Sequence, residues 1–244
     1  MEDRTAGPYV RTLGRRELLV GVASAGLYGA LAPICRAVQG HHASEAKGPT
    51  PDQALQRLMD GNARFVAGKV NHPNQDTARR TTLAKGQAPF AVIFGCSDSR
   101  VSPELAFDQG LGDLFVVRVA GNVVDADAAG SVEYGVEHLH APLVLVLGHQ
   151  KCGAVIAAML PQSDREKESK DIQAILNQIQ PALKGVDPHL SEDQRLNAGI
   201  EANARQSMKI LAGSPILSKG IADKSVRIVS AVYELTTGKV NLLS

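Results

Sequence analysis

Two short segments carry side chains whose types and spacing suggest metal chemistry: Cys96-Ser97-Asp98-Ser99-Arg100 and His149-Gln150-Lys151-Cys152. Two thiolates and one imidazole form a soft donor set that suits zinc and disfavours magnesium or calcium. A structural zinc site closes its tetrahedron with four protein ligands, and the remaining cysteine, Cys35, lies in a stretch that reads as a leader. Cys96, His149 and Cys152 then leave one coordination position for water, the mark of a catalytic metal. If the chain stays extended after Cys96, the side chains of Cys96, Asp98 and Arg100 point the same way. Asp98 is then placed to accept a hydrogen bond from an attacking water, with Arg100 keeping the carboxylate ionised through a bidentate pair. Alternatively, Asp98 itself fills the fourth position and shuts the site. Cys152 precedes an apparent helix, whose N-terminal dipole favours the thiolate that a metal needs.

The elements that must position these groups are legible from periodicity. Three buried runs, Phe90 to Gly95, Leu114 to Ala120 and Pro142 to Gly148, read as strands, and the metal-ligand segments follow the first and third. A fourth strand is predicted over Val226 to Tyr233, then a Thr237-Gly238 turn and a last run from Val240 to Leu243. Helical stretches lie around Ser131 to His140, Ala154 to Leu160, Ile172 to Ala182 and Ala198 to Leu211. Leu55, Leu58, Met59 and Phe65 recur at helical spacing between Asp52 and Val66, which predicts an amino-terminal amphipathic helix. Strands alternating with helices imply an α/β fold with a mainly parallel central sheet flanked by helices. Ligands of such sheets gather at the carboxyl ends of strands, where Cys96 and His149 fall.

A chain of 244 residues with 44% hydrophobic residues can bury a full core, and its formal net charge of +1 offers no basic footprint for nucleic acid. A small-molecule partner is expected. Residues 1–45 read as an export signal and linker, and residues 46–244 as the folded domain. Arg15-Arg16 precede an uncharged, Gly- and Ala-rich run from Leu18 to Cys35, which resembles a twin-arginine leader and implies the bacterial periplasm. It departs from the usual motif at Gly14, where Ser or Thr is common, and at Leu18, where Phe is. A membrane anchor is the weaker reading of the same run. His72, His138, His140 and His189 are candidates for moving a proton by virtue of their imidazoles, but no motif singles one out as a shuttle.

Cys-x-Asp-x-Arg at 96–100, His-x-x-Cys-Gly at 149–153 and Arg118-Val-Ala-Gly-Asn122 between them resemble the β-class carbonic anhydrases. Gly61-Asn-Ala-Arg-Phe65, Asp108-Gln-Gly-Leu-Gly-Asp113, Glu133-Tyr134 and the segment Tyr233 to Gly238 resemble that family too, so the likeness runs from about Pro51 to Ser244. The resemblance implies zinc, an α/β fold, reversible hydration of carbon dioxide to bicarbonate and a proton, and a homodimer or higher homo-oligomer in which the amino-terminal helical arm embraces its neighbour. Matched by position, Gln87, Phe115 and Tyr134 fall where family members have substrate-pocket residues, some contributed across the dimer. Two other functions fit the same zinc site: hydrolysis of carbonyl sulfide or carbon disulfide, and a non-catalytic, zinc-stabilised binding protein.

Overall fold

In the computed structural model, which describes residues 48–243, the chain enters its first helix, α1 (Pro51–Val66), through a cap written into the sequence. Thr50 Oγ1 accepts from the Gln53 amide, Gln53 Oε1 accepts from the Thr50 amide, and Pro51 takes the first turn, where no amide partner is needed. Residues 1–45, the stretch expected to be an export signal and linker, lie outside the described residues, Cys35 among them. Then follow α2 (Thr77–Leu83), β1 (Ala91–Gly95), α3 (Pro103–Ala106), β2 (Leu114–Arg118), α4 (Ala126–Glu137), β3 (Leu143–His149) and α5 (Gly153–Met159). The chain continues through α6 (Gln162–Arg165), α7 (Lys170–Leu183), α8 (Glu192–Ala212), α9 (Pro215–Ala222), β4 (Arg227–Tyr233) and β5 (Val240–Leu243).

The strands form one sheet in the order β2-β1-β3-β4-β5, parallel except that β5 runs antiparallel to β4. Every residue of β1 and β3 is buried, as expected of strands covered on both faces. On one face α1 and α3 pack Leu55, Leu58 and Phe107 against Ile93, Leu145 and Leu147. Val132 of α4, Ala204 and Leu211 of α8 and Leu217 of α9 cover Val92, Phe94, Val144 and Val146 on the other. A third cluster lies past the carboxyl ends of the strands, where Cys96 and Cys152 sit with Val155, Ala158, Leu176 and Ile179.

The amino-terminal helix is thus seated on its own sheet. Gly61 lies so close to the Phe107 carbonyl that an added Cβ would stand 1.8 Å from its oxygen. Asn62 donates to the carbonyls of Ala106 and Gly238 and accepts from the Val240 amide, tying α1 to α3 and β5. Arg64 donates to Asp108 Oδ2 at 2.6 Å, and Arg57 to Asp113 Oδ1 at 2.9 Å. The motifs at 61–65 and 108–113 therefore meet in space. None of the helices among the described residues is long and apolar enough to cross a membrane.

Candidate metal centre

The chain leaves β1 for β2 on one side and leaves β3 for β4 on the other, so a crevice opens between the carboxyl ends of β1 and β3. Gly95 pairs with Leu147 in that register; Cys96 follows the first and His149 comes two positions after the second. Cys152 is the residue capping α5. The ligand atoms of Cys96, His149 and Cys152 all lie within 4.8 Å of one another, and all three residues are buried.

These residues fit a cation on grounds of their own chemistry. His149 Nδ1 lies 2.9 Å from the Gln150 carbonyl, which places the proton there and leaves Nε2 with its lone pair. That Nε2 is buried and makes no aligned hydrogen bond, although Asp98 Oδ2 is 3.7 Å away. A buried polar atom without a partner is costly, and a metal ion would meet it. The Cys96 thiol is pushed down to about 4, chiefly because Cys152 donates to it, with His149 and the Gly121 amide adding to the effect against burial. Cys152 is pushed up, first by donating to Cys96 and then by burial, so without metal one proton serves both sulfurs. Burial disfavours a charged His149, but the neighbouring Cys96 sulfur outweighs it and raises the imidazole. The cluster thus attracts positive charge, as a zinc site of two thiolates and one imidazole requires.

The backbone after Cys96 does not stay extended. It turns at Asp98, whose Oδ1 accepts from the Arg100 amide at 2.9 Å while its carbonyl accepts from the Val101 amide. An Asx-type turn of this kind offers the main chain a local partner that an isolated extended segment lacks. The turn brings Arg100 back on Asp98, with Nε to Oδ1 at 2.9 Å and an Nη to Oδ2 at 2.7 Å, the bidentate pair expected from the residue types. The guanidinium holds the Asp98 carboxyl well below the usual carboxylate range. Both carboxylate oxygens are engaged by Arg100, and Asp98 is not one of the three clustered ligand residues.

Two supports were not singled out from the sequence as parts of the site. Arg118, paired in register with Gly95, donates to the carbonyls of Cys96 and Asp98 and so holds the turn. The Gly121 amide donates to Cys96 Sγ at 3.2 Å from a 3₁₀ turn, Ala120–Asn122, that breaks the run predicted to continue β2. Gly121 has φ of 67°, and the signal for both residues was the phrase Arg118 to Asn122 itself. Asn203 of α8 donates to the Gly121 carbonyl at 2.8 Å. An amide on a helix face shared with Ile200, Ala204, Ser207 and Leu211 was its only trace.

Gln87, Phe115 and Tyr134 stand apart from this cluster within the chain. Phe115 pairs with Val92, three strand positions before the Gly95 end and so about 10 Å from it along the strand. Its ring lies 6.2 Å from that of the exposed Tyr134, which in turn lies 4.9 Å from His138. Gln87 is exposed in the loop before β1.

A doubly wound sheet presenting a buried Cys, His and Cys at its switch point defines an α/β protein with a candidate metal site, and comparison with known proteins narrows the class. Residues 91–240 match the family described as Carbonic anhydrase. Carbonic anhydrase 2 of Mycobacterium tuberculosis is 43% identical over 194 residues, 79% of this chain and 92% of the relative. The carbonic anhydrase of Mycolicibacterium smegmatis is 44% identical over 200 residues, 80% of this chain and 94% of the relative. Among solved structures, the Coccomyxa β-carbonic anhydrase in complex with acetazolamide superposes with a TM-score of 0.64 at 28% identity, covering 78% of this chain and 86% of that one. A tetrameric β-carbonic anhydrase of Sordaria macrospora shares the fold, with a TM-score of 0.63 at 22% identity over 78% of this chain and 96% of that one. This chain belongs to the β-class carbonic anhydrases.

Proposed function

We propose that the protein catalyses zinc-dependent, reversible hydration of carbon dioxide to bicarbonate and a proton. The observation that carries this reading is the buried Cys96, His149 and Cys152 cluster beside the Asp98–Arg100 pair, in a chain of this family. Cys96 Sγ, His149 Nε2 and Cys152 Sγ would hold the metal. Bound zinc supplies a Lewis acid that makes water nucleophilic near neutral pH. Asp98, kept ionised by Arg100, accepts a hydrogen bond from the attacking water and orients its lone pair toward the carbon atom. The turn held by Arg118 keeps that carboxylate in place. One oxygen is thus added to carbon dioxide, bicarbonate leaves, and the proton passes to solvent.

Phe115 and Tyr134 are assigned to the pocket of a neighbouring copy rather than to their own. β2 is an edge strand, Tyr134 and Leu111 beside it are exposed, and an aromatic surface of this kind suits a homo-oligomer contact. Gln87 is the amide donor assigned to that pocket. Export through the twin-arginine leader completes the proposal, supported by Arg15-Arg16 and the uncharged run after them.

Stopped-flow hydration of carbon dioxide across pH, on protein of known zinc content, tests the assignment. Activity that rises with pH and disappears with the zinc in Cys96→Ser is expected. Full hydration by a zinc-free Cys96→Ser protein would refute it. Zinc without hydration at any pH would identify a binding protein, and turnover restricted to carbonyl sulfide or carbon disulfide would move the activity to those substrates.

A further inference from the structure

His149 and Cys152 are three positions apart, yet their ligand atoms lie within 4.8 Å of each other and of Cys96 Sγ. An extended continuation of β3 would forbid this, since residues three apart on a strand point to opposite faces and stand about 10 Å apart along it. Nor does a helix supply the return, because Cys152 itself is extended and α5 starts only at Gly153. The reversal is made by Gln150 and Lys151. Lys151 has φ of 52°, and no other residue of the described segments 96–100 and 149–152 has a positive φ.

A residue with a Cβ is disfavoured in that left-handed region, so its surroundings must hold it there. Three contacts do so. The Gln150 amide donates to the Tyr233 carbonyl at 2.9 Å, anchoring the turn to β4. The Gln150 carbonyl accepts from His149 Nδ1 at 2.9 Å. Arg100, paired with both carboxylate oxygens of Asp98, also donates to the Lys151 carbonyl at 3.3 Å and so joins the turn after β3 to the turn after β1. The Lys151 side chain is exposed, and among the described residues its ammonium group makes no hydrogen bond or ion pair. The connection of this residue to the site therefore runs through its backbone.

We propose that Lys151 is a positioning residue of the metal centre: its left-handed backbone turns Cys152 back toward His149 and Cys96, and its ammonium group has no part in this. The proposal rests on the reading that Cys96, His149 and Cys152 hold zinc. It adds a requirement at a position that supplies no ligand, namely that the residue tolerate a positive φ. Gly and Asn meet that requirement, and a residue branched at Cβ meets it worst.

Lys151→Gly, Lys151→Asn and Lys151→Val test it in the whole chain, through competition with a chromophoric chelator for zinc and through the sulfur-to-metal charge-transfer absorption of the cobalt-substituted protein. The Gly and Asn proteins are expected to hold zinc within about threefold of the wild type, with the absorption of both thiolates intact. The Val protein should lose about 10–100-fold in zinc affinity, with that absorption weakened as Cys152 withdraws. Lys151→Thr, also branched at Cβ, takes its place should the Val protein not fold. Urea midpoints of the metal-free proteins separate a merely structural role: a branched variant that is less stable without metal, but has wild-type zinc affinity and cobalt spectrum, would overturn the proposal. Equal loss of zinc affinity in the Gly, Asn and branched variants would overturn it too, by assigning the effect to the ammonium group. Failure of the wild-type chain itself to bind zinc would overturn the metal reading, and this proposal with it.

Discussion

Replacing Gly121 by Ala tests whether a backbone position, rather than a side chain, holds the metal centre. With φ at 67°, an Ala there costs roughly 1–2 kcal/mol in the left-handed region. Its Cβ would also stand 2.9 Å from Ala154 Cβ and 2.9 Å from Ile179 Cδ1, inside the cluster that surrounds Cys96 and Cys152. Forcing a methyl into such packing typically costs a further 1–3 kcal/mol, so the whole change is expected to be about 2–5 kcal/mol. Urea unfolding of the zinc-loaded protein measures it. Competition with a chromophoric chelator measures the second consequence: a displaced Gly121 amide no longer supports the Cys96 thiolate, and zinc affinity should fall by about 10–100-fold, as for other outer contacts to metal ligands. Gly130 in α4 is the control, since a Cβ there meets nothing within 4 Å and Ala should stabilise the exposed helix by about 0.5–1 kcal/mol. A Gly121→Ala protein within about 0.5 kcal/mol of the wild type, with unchanged zinc affinity, would refute the reasoning.

Asp98→Asn keeps the shape but loses the charge, so carbon dioxide hydration should fall by about 10²–10⁴-fold while zinc stays bound, measured by stopped flow and metal analysis. Because Arg100 keeps Asp98 far below the usual carboxylate range, a pH–rate profile of the wild type between about pH 5 and 9 should show no limb from its protonation. Asp108 accepts from the Asn71 and His72 amides and from Arg64; burial opposes its charge, yet these partners lower its pKa overall. Its contribution is therefore full above the unfolded carboxyl value near 4, and it is lost as pH falls through the lower folded value. Asp108→Asn should cost about 3 kcal/mol at pH 7 and flatten the loss of stability on acidification, read from urea midpoints at a series of pH values. Chelation of zinc should lower the thermal midpoint, because a ligand that binds only the folded chain at 100 times its Kd adds about 2.7 kcal/mol.

Much of this was legible because the signals were local. The runs that became β1 and β3 are apolar and short, as strands covered on both faces must be, and the capping of α1 is spelled out by Thr50, Pro51 and Gln53. The clustering of Cys96, His149 and Cys152 was legible because few chemistries need two cysteines and a histidine at strand ends. α2 was not, since it buries no residue and shows no apolar stripe, and four-residue α3 is too short to display a period. The extended path assumed for residues 96 to 100 failed for a reason local to Asp98, whose side chain captures the Arg100 amide. Gly121 and Asn203 act through main-chain contacts between positions 82 residues apart, and no spacing rule connects them. The separation of Phe115 and Tyr134 from the cysteines is a matter of strand register, which composition does not encode.

The interval between two of the three candidate ligands is inherited from the hydrogen bonding of β1 to β3, a ruler that side-chain replacement cannot lengthen or shorten. The long excursion from α6 through α7 to the start of α8 carries none of the ligands. The turns on either side of α7 can therefore lengthen or shorten while the bite of the donor set stays the same, provided that Leu176 and Ile179 keep their places beside the two cysteines.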